Sequence, residues 1–216
     1  MAEALAGRAV KIIGILRKTY GKAECALRHK NPFQLAVSTI LSAQCTDKRV
    51  NMVTPALFKK YPTPKHFAKA SQSAIETMVR STGFYKNKAR SIKGLSQKLI
   101  SEHAGKVPRT LDELVKLPGI GRKTANVILG VAFDVPGIVV DTHVTRLTQR
   151  MGLTKQKDPT KIEFEMMKIF PRKDWNDFGL LFIQHGRAIC SARKPKCEGC
   201  PVNTFCPKVG LSKLAR

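Results

Sequence analysis

Acidic residues, long apolar runs and flexible linkers are all scarce in this sequence. Among 216 residues, aspartate and glutamate number 15 against 39 lysines and arginines, which gives a formal net charge of +24. No uninterrupted apolar run approaches the roughly 18 residues that a membrane-spanning helix requires, so the sequence excludes a transmembrane protein. No glycine- and serine-rich segment divides the chain, and its 43% hydrophobic residues suffice for the core of one large domain or two small ones.

The excess of positive charge indicates an anionic partner. A surplus of this size increases the self-repulsion of a compact fold and is typical of proteins that bind nucleic acid or an anionic membrane surface. The basic residues are scattered over predicted helices and loops, whereas a membrane binder would gather them on one amphipathic face. We therefore expect a nucleic-acid partner and no membrane association, with a merely soluble basic protein as the alternative.

Apolar residues recur at helical spacing along almost the whole chain. A first helix is predicted from about Ala4 to Tyr20. Asp47 is a predicted N-cap, and Thr110 with Glu113 forms a predicted capping box at the start of another helix. The β-branched run 137–140 resembles a strand, but no neighbouring segment would pair with it. The pattern predicts an all-α protein.

A glycine-rich turn between two predicted helices is the first functional motif. The string LPGIGRKTA, residues 117–125, ends one helix and begins the next. Gly119 and Gly121 allow positive φ angles and close approach of the backbone to a ligand. The exposed N–H groups and the dipole at the start of the second helix, together with Arg122, would attract a phosphate. The alternative is an ordinary corner between two helices.

Lys123 and Asp141 form a candidate catalytic pair. Lys123 lies in the first turn of the helix that follows the glycine turn, where the helix dipole, Arg122 and partial burial would lower its pKa and free the amine as a nucleophile. Asp141, in the string VDTH (residues 140–143), could accept a proton or stabilise positive charge on a sugar. The alternatives are a phosphate-binding lysine and a simple N-cap. We predict that His143 contacts phosphate and is neither acid nor base.

Four of the six cysteines are clustered near the C-terminal end of the sequence. Their spacing is C-x6-C-x2-C-x5-C, and the cysteines are Cys190, Cys197, Cys200 and Cys206. The first twenty residues contain no secretory signal, so the cluster predicts metal binding and not disulfides. The wide first gap favours a [4Fe-4S] cluster over zinc. The first gap also contains Arg193, Lys194 and Lys196, which form a candidate second phosphate contact.

In this order and spacing, the LPGIGRKTA string, the VDTH string and the cysteine spacing resemble the endonuclease III family. This family belongs to the helix–hairpin–helix superfamily of DNA glycosylases, and the resemblance extends from the first helix to Cys206. It implies a six-helix barrel lobe over residues 24–134 and a second lobe formed by residues 1–23 and 135–216, with the cluster loop at 190–206. It also implies that Lys123 attacks the sugar C1′, with Asp141 as the activating carboxylate. The expected activity is removal of oxidised pyrimidines, followed by β-elimination at the abasic site.

The resemblance also suggests two residues that enter the DNA. In LSAQCTD, residues 41–47, Gln44 corresponds to the glutamine that fills the gap left by a flipped base. In TGFY, residues 82–85, Phe84 stands where the family commonly has leucine, and its ring could stack between bases. Without the resemblance, Gln44 would be interpreted as a polar residue at a helix end.

Three hypotheses follow from the sequence. The first is a bifunctional glycosylase and abasic-site lyase that acts as a monomer on double-stranded DNA containing a damaged base or an abasic site. The second is a monofunctional mismatch or uracil glycosylase of the same fold, and the third is a non-catalytic DNA-binding module. Lys123 favours the first, because related monofunctional glycosylases lack a lysine at this position. We expect a prokaryotic, cytoplasmic, nucleoid-associated protein.

Overall fold

The computed structural model describes residues 2–22 and 24–211 of the chain. Within these ranges the regular elements are helices and no strand forms, so the all-α prediction is confirmed. The α-helices are α1 (Ala2–Tyr20), α2 (Pro32–Ser42), α3 (Asp47–Lys60), α4 (Pro64–Lys69), α5 (Gln72–Val79), α6 (Tyr85–His103), α7 (Leu111–Leu114), α8 (Arg122–Phe133), α9 (Thr142–Arg150), α10 (Pro159–Ile169) and α11 (Trp175–Ala188). Short 3-10 helices lie at Arg80–Thr82, Arg172–Asp174 and Asn203–Phe205. Within the described ranges, no helix is both long and apolar enough to cross a membrane.

The chain forms two compact units. The contiguous unit spans residues 25–135, and the discontinuous unit combines residues up to 24 with those from 136 onward. The domain bounds expected from the sequence differ from these by one residue. The contiguous unit contains six helices of six residues or more, α2 to α6 and α8, together with the single turn α7.

The contiguous unit is built around α6. This helix packs against α2, α4 and α5, and its residues Ile92, Leu95 and Leu99 are fully buried. Phe67 of α4 is also fully buried and contacts the rings of Phe33 and Tyr61, with centroid distances of 5.7 and 5.1 Å. Removal of this much aromatic and aliphatic surface from water is the main source of stability for such a core.

The discontinuous unit is held together by its N-terminal helix. The apolar face of α1 is buried against α10 and α11, as its 3.6-residue periodicity predicted. On the polar side of α1, Arg17 pairs with Asp174 and Asp177 at 2.9 and 3.0 Å. Arg8 donates to three backbone oxygens, those of Met151, Gly152 and Phe205. These contacts bring the two ends of the sequence into one core.

Three local predictions fare differently in the structure. Thr46, and not Asp47, caps α3, because its side chain accepts the Arg49 N–H while Asp47 is already the first helical residue. Thr110 caps α7 as predicted and accepts the Glu113 N–H. The run 137–140 is extended but does not pair as a strand, and the N–H of Gly137 instead donates to the Asn176 side chain at 3.1 Å.

Candidate functional site

The glycine turn joins α7 to α8 in the contiguous unit. Ile120 is 4% exposed and anchors the turn in the core, while its N–H donates to the Leu117 carbonyl at 3.1 Å. Gly119 has φ +78°, and a Cβ at this position would lie 2.7 Å from the Cβ of Ser91. The fold therefore requires glycine at position 119 for both conformation and space.

Gly121 differs from Gly119 because the fold does not require a glycine there. It is the N-cap of α8 with φ −87° and ψ 174°, a conformation open to any residue, and a Cβ would meet no atom within 4 Å. No side chain caps the helix at Gly121. The start of α8 thus presents backbone N–H groups and the positive end of the helix dipole to an anion.

Lys123 is the second residue of α8 and is exposed. The partial burial expected from the sequence is therefore wrong for this side chain. The next turn of α8 is anchored by Ala125, Ile128 and Leu129, which are buried in the core of the unit. The amine accordingly stands on a rigid helix, adjacent to the anion-binding end and accessible to a large substrate.

Gln44 and Phe84 lie in the same unit, and both have unusual backbones. Their φ angles are +52° and +48°, in the left-handed region that residues other than glycine rarely adopt. Gln44 is exposed and Phe84 is 62% exposed, although Phe84 is a large apolar side chain. Strained backbone is concentrated at functional sites in proteins, so these two positions fit a ligand-contacting role.

Asp141 lies in the discontinuous unit as the N-cap of α9. Its Oδ1 accepts the Val144 N–H at 2.9 Å, and Val144 and Leu147 are buried beneath it. The N-cap interpretation and the catalytic one are compatible, because within residues 2–22 and 24–211 no other hydrogen bond engages this carboxylate. Its Oδ2 therefore remains for a second task.

His143 follows Asp141 in the first turn of α9. Its Nδ1 lies 3.0 Å from Nη2 of Arg146, and since arginine only donates, Nδ1 is the acceptor. Burial lowers the pKa of His143, which agrees with a neutral ring. The remaining ring proton is then on Nε2, so His143 can offer a neutral hydrogen bond to a phosphate and no charge.

The four clustered cysteines line one cavity. Burial raises the pKa of the Cys200 and Cys206 thiols, so iron would displace their protons as it binds. In the described part of the chain, no group of three or more histidine, cysteine or acidic side chains is arranged to hold a metal ion. A cavity with four sulfur donors on its walls fits a multi-iron cluster better than a single zinc ion.

Groups beside the cavity complete a site for anionic sulfur. Arg150 donates to Cys190 Sγ at 3.4 Å and to the carbonyls of Ser191 and Ala192 at 2.7 Å each. His185 is fully buried, and its Nδ1 and Nε2 lie 2.8 Å from Tyr20 Oη and 3.5 Å from Cys200 Sγ. Desolvation lowers the pKa of His185 to about 4, so the ring is neutral at pH 7. Hydrogen bonds and buried charge around the sulfurs are the means by which a protein stabilises and tunes a bound iron–sulfur cluster.

The basic residues of the cluster loop face solvent. Arg193, Lys194 and Lys196 are all exposed. The loop is fixed internally, because the Lys196 N–H donates to the Ile189 carbonyl and Ser191 Oγ donates to the Lys194 carbonyl. The loop therefore presents positive charge from a rigid backbone.

Three buried or half-buried side chains that no sequence motif indicated support these sites. Lys88 is 4% exposed, and its ammonium donates to the carbonyls of Leu41 and Thr82 at 2.8 and 2.7 Å. Arg150 and His185 support the cysteine cavity through their contacts with Cys190 and Cys200. Nothing in the local sequence indicates these roles, since the partners are mostly backbone oxygens or residues far along the chain.

Comparisons with known proteins agree with this arrangement. The HhH-GPD superfamily base excision DNA repair protein model matches residues 37–172, and the iron–sulfur binding domain of endonuclease III matches residues 190–206. Endonuclease III of Synechocystis sp. is 50% identical over 206 residues, which cover 95% of this chain and 94% of the relative. A non-covalent endonuclease III–DNA complex is 41% identical with a TM-score of 0.92, over 98% of this chain and 99% of that one. A trapped endonuclease III–DNA covalent intermediate is 42% identical with a TM-score of 0.92 and the same coverage.

The two family matches include the hairpin, the Asp141 cap and the cysteine cavity described above, and the resemblance seen in the motifs is confirmed. The predicted [4Fe-4S] cofactor is likewise confirmed. Its predicted ligands, Cys190, Cys197, Cys200 and Cys206, all lie within the matched segment 190–206 and stay predictions. The chain belongs to the endonuclease III family of the HhH-GPD superfamily of base excision DNA repair proteins, and it is a DNA glycosylase and abasic-site lyase.

Proposed function

We propose that this chain removes oxidised pyrimidines from double-stranded DNA and then cuts the strand at the abasic site, with Lys123 as the nucleophile. The observation that carries the proposal is the position of Lys123, exposed on α8 directly after a glycine turn whose helix end attracts phosphate. A related chain that is 42% identical has been trapped as a covalent DNA intermediate, which supports a nucleophilic mechanism.

The proposed reaction begins when the Lys123 amine attacks the sugar C1′. The bond between C1′ and the base breaks, and the base leaves with a proton that the amine gives up. The C1′–O4′ bond then breaks, O4′ takes a proton to become a hydroxyl, and an imine remains between Nζ and C1′. Loss of a proton from C2′ then breaks the C3′–O bond, which cuts the strand on the 3′ side of the lesion. Asp141 either takes the amine proton or stabilises positive charge on the sugar, and both roles require an ionised carboxylate.

DNA binding rests on backbone contacts. Gly119, Gly121 and Arg122 are proposed to place one phosphate at the start of α8, while the basic cluster loop and the neutral His143 contact others. Gln44 and Phe84 are proposed to fill the gap left when the damaged base is flipped out of the helix. Cys190, Cys197, Cys200 and Cys206 would hold the cluster, which would brace the basic loop between the first two of them. We further propose a monomer that works on the chromosome in a prokaryotic cytoplasm. Relatives from Synechocystis sp. and Bacillus subtilis support the prokaryotic source.

Borohydride trapping tests the proposal. A duplex oligonucleotide carrying thymine glycol or an abasic site is treated with wild type, Lys123→Ala or Lys116→Ala, the last being an exposed lysine near the turn. We expect a covalent protein–DNA band with wild type and Lys116→Ala and none with Lys123→Ala. Base release without a nick or a band would indicate a monofunctional glycosylase, and binding without base release would indicate a DNA-binding module.

A further inference from the structure

Lys88 is a buried lysine that forms no ion pair with an acidic residue of the described ranges 2–22 and 24–211. It lies in the first turn of α6 and is 4% exposed. Its ammonium donates to the Leu41 carbonyl at 2.8 Å and to the Thr82 carbonyl at 2.7 Å. Desolvation lowers its pKa, so the fold loses some stability by placing this group in the interior. The benefit that offsets this loss of stability is to be sought in the two segments that accept the hydrogen bonds, around Leu41 and Thr82.

Both carbonyls belong to helix ends that lead to DNA-contact candidates. Leu41 lies in the last turn of α2, three residues before Gln44, and Thr82 ends a 3-10 helix two residues before Phe84. In a continuing helix the Cys45 N–H would donate to the Leu41 carbonyl. Here it donates to the Ser42 carbonyl at 3.1 Å, which leaves the Leu41 carbonyl to Lys88. Carbonyls at helix ends lack partners within the helix, and the ammonium supplies one to each.

Lys88 therefore connects two segments that are distant in sequence. The segments 41–45 and 82–84 each carry one exposed side chain on a left-handed backbone, Gln44 at φ +52° and Phe84 at φ +48°. Such conformations persist only where surrounding contacts fix them. The contacts of Lys88 supply one fixed point to each segment, on the same nitrogen atom.

We propose that Lys88 is a positioning residue that joins segments 41–45 and 82–84, so that Gln44 and Phe84 enter the DNA as one unit when a base is displaced. This inference rests on the proposed function, because it takes Gln44 and Phe84 to be the residues that occupy the base stack. Lys88 touches no DNA. It acts through the backbone to which Gln44 and Phe84 are attached.

The first test compares Lys88→Met with Lys93→Met. Methionine keeps the length of the side chain and removes its donors, and Lys93 is a matched control on α6 whose ammonium donates to one carbonyl, that of Ala70, at 2.9 Å. We expect Lys88→Met to lower kcat/KM on a thymine glycol duplex by roughly tenfold, with cleavage of an abasic site in single-stranded DNA changed less than about twofold. Lys93→Met should change both by less than about twofold.

A fluorescence readout separates positioning from a general loss of structure. A duplex with 2-aminopurine beside the lesion reports unstacking without catalysis when every protein also carries Lys123→Ala. At saturating protein, we expect fluorescence to rise equally with the Lys123→Ala protein and with Lys123→Ala plus Lys93→Met. With Lys123→Ala plus Lys88→Met, we expect a much smaller rise. Equal losses on the duplex and the single strand would reduce Lys88 to a structural residue and overturn the inference.

A double-mutant cycle tests the same inference with Lys88 intact, so that the test does not depend on the folding of Lys88→Met. If Gln44 and Phe84 act as one unit, Gln44→Ala with Phe84→Ala loses little more fluorescence than the more damaging single substitution. Effects that add within about twofold overturn the inference. In the Lys88→Met protein, each single alanine substitution should cause little further loss.

Failure of the inference differs from failure of the proposed function. A wild-type protein that releases no base defeats the function and with it the inference. A wild type that releases the base and nicks the strand, alongside a Lys88→Met protein that matches Lys93→Met on both substrates, defeats the inference alone.

Discussion

The two glycines of the hairpin should respond oppositely to alanine. Gly119 has φ +78° and a blocked Cβ position, whereas Gly121 has an ordinary backbone and an open one. We expect Gly119→Ala to destabilise the protein, and Gly121→Ala to leave stability nearly unchanged while weakening DNA binding. The pair thus separates a glycine that the fold needs from a glycine that the ligand needs.

The magnitude for Gly119→Ala comes from strain and crowding. A left-handed conformation costs a residue with a Cβ about 1–2 kcal/mol. Relief of the 2.7 Å approach to Ser91 Cβ requires local movement in a packed region, which costs roughly 1–3 kcal/mol. The sum is about 2–5 kcal/mol, and a chain of this size loses roughly 2–4 °C in Tm for each kcal/mol.

For Gly121→Ala two opposing effects nearly cancel. Alanine restricts the unfolded chain, which stabilises the fold by about 0.4–1 kcal/mol, but it is a poorer N-cap than glycine by a comparable amount. The methyl group would occupy the space in front of the first N–H groups of α8. Loss of a hydrogen bond to a charged phosphate is worth roughly 1.5–3 kcal/mol, or about a 10- to 100-fold weaker Kd.

Thermal melting followed by circular dichroism and fluorescence anisotropy with an abasic-site duplex give the two readouts. The expected pattern is a lower Tm for Gly119→Ala and a higher Kd for Gly121→Ala at an unchanged Tm. Anisotropy at several salt concentrations checks that the lost contact is to phosphate. A Gly121→Ala protein that binds DNA like wild type would refute the assignment of this helix end to a phosphate.

Four further predictions concern the discontinuous unit. Asp141→Asn keeps a good N-cap, so stability and DNA affinity should stay at wild-type values. The kcat for base release should fall roughly 10²–10⁴-fold. Unchanged single-turnover rates would contradict the role of the carboxylate. With about six phosphate contacts, log K should fall with log salt at a slope near −5, less steeply by about 0.9 for Lys194→Ala. His143→Ala should leave that slope unchanged, because burial lowers the pKa of His143 and a neutral ring displaces no counterion; a reduced slope would show a charged contact. Arg150→Met removes the hydrogen bonds to the cluster loop, so iron content and visible absorbance should fall on dialysis. The control Arg193→Met, on the exposed part of the loop, should retain both. Equal retention by the two variants would count against the role of Arg150.

Sequence analysis predicted the features that depend on local pattern. Helical periodicity gave the fold class, and the spacing of Lys123, Asp141 and the cysteines gave the family and its cofactor. The roles of Lys123 and Asp141 stay predictions. At the start of α3 the N-cap predicted at Asp47 is wrong by one residue, since Thr46 caps the helix; threonine and aspartate are both good N-cap residues, so residue type alone does not separate them.

The remaining features depend on contacts that no pattern contains. Lys88 reaches a carbonyl 47 residues away, and Arg150 reaches its loop about 40 residues further along the chain. Backbone oxygens carry no side-chain signature, so the sequence gives no sign of either partner. The exposure of Lys123 is similar, since it depends on how α8 is anchored by Ala125 and Ile128.

The discontinuous unit imposes an order on synthesis at the ribosome. Residues 25–135 are complete early and contain every segment of their own core, so this unit can fold while translation continues. Helix α1 leaves the ribosome before residues 25–135, but its partners α10, α11 and the 203–205 helix are made after them. At about 5–20 residues per second, its apolar face remains uncovered for roughly 10–35 s. During this interval the exposed apolar face of α1 is available to a chaperone. A ribosome that stalls before α10 leaves a folded contiguous unit attached to a helix whose apolar face is uncovered.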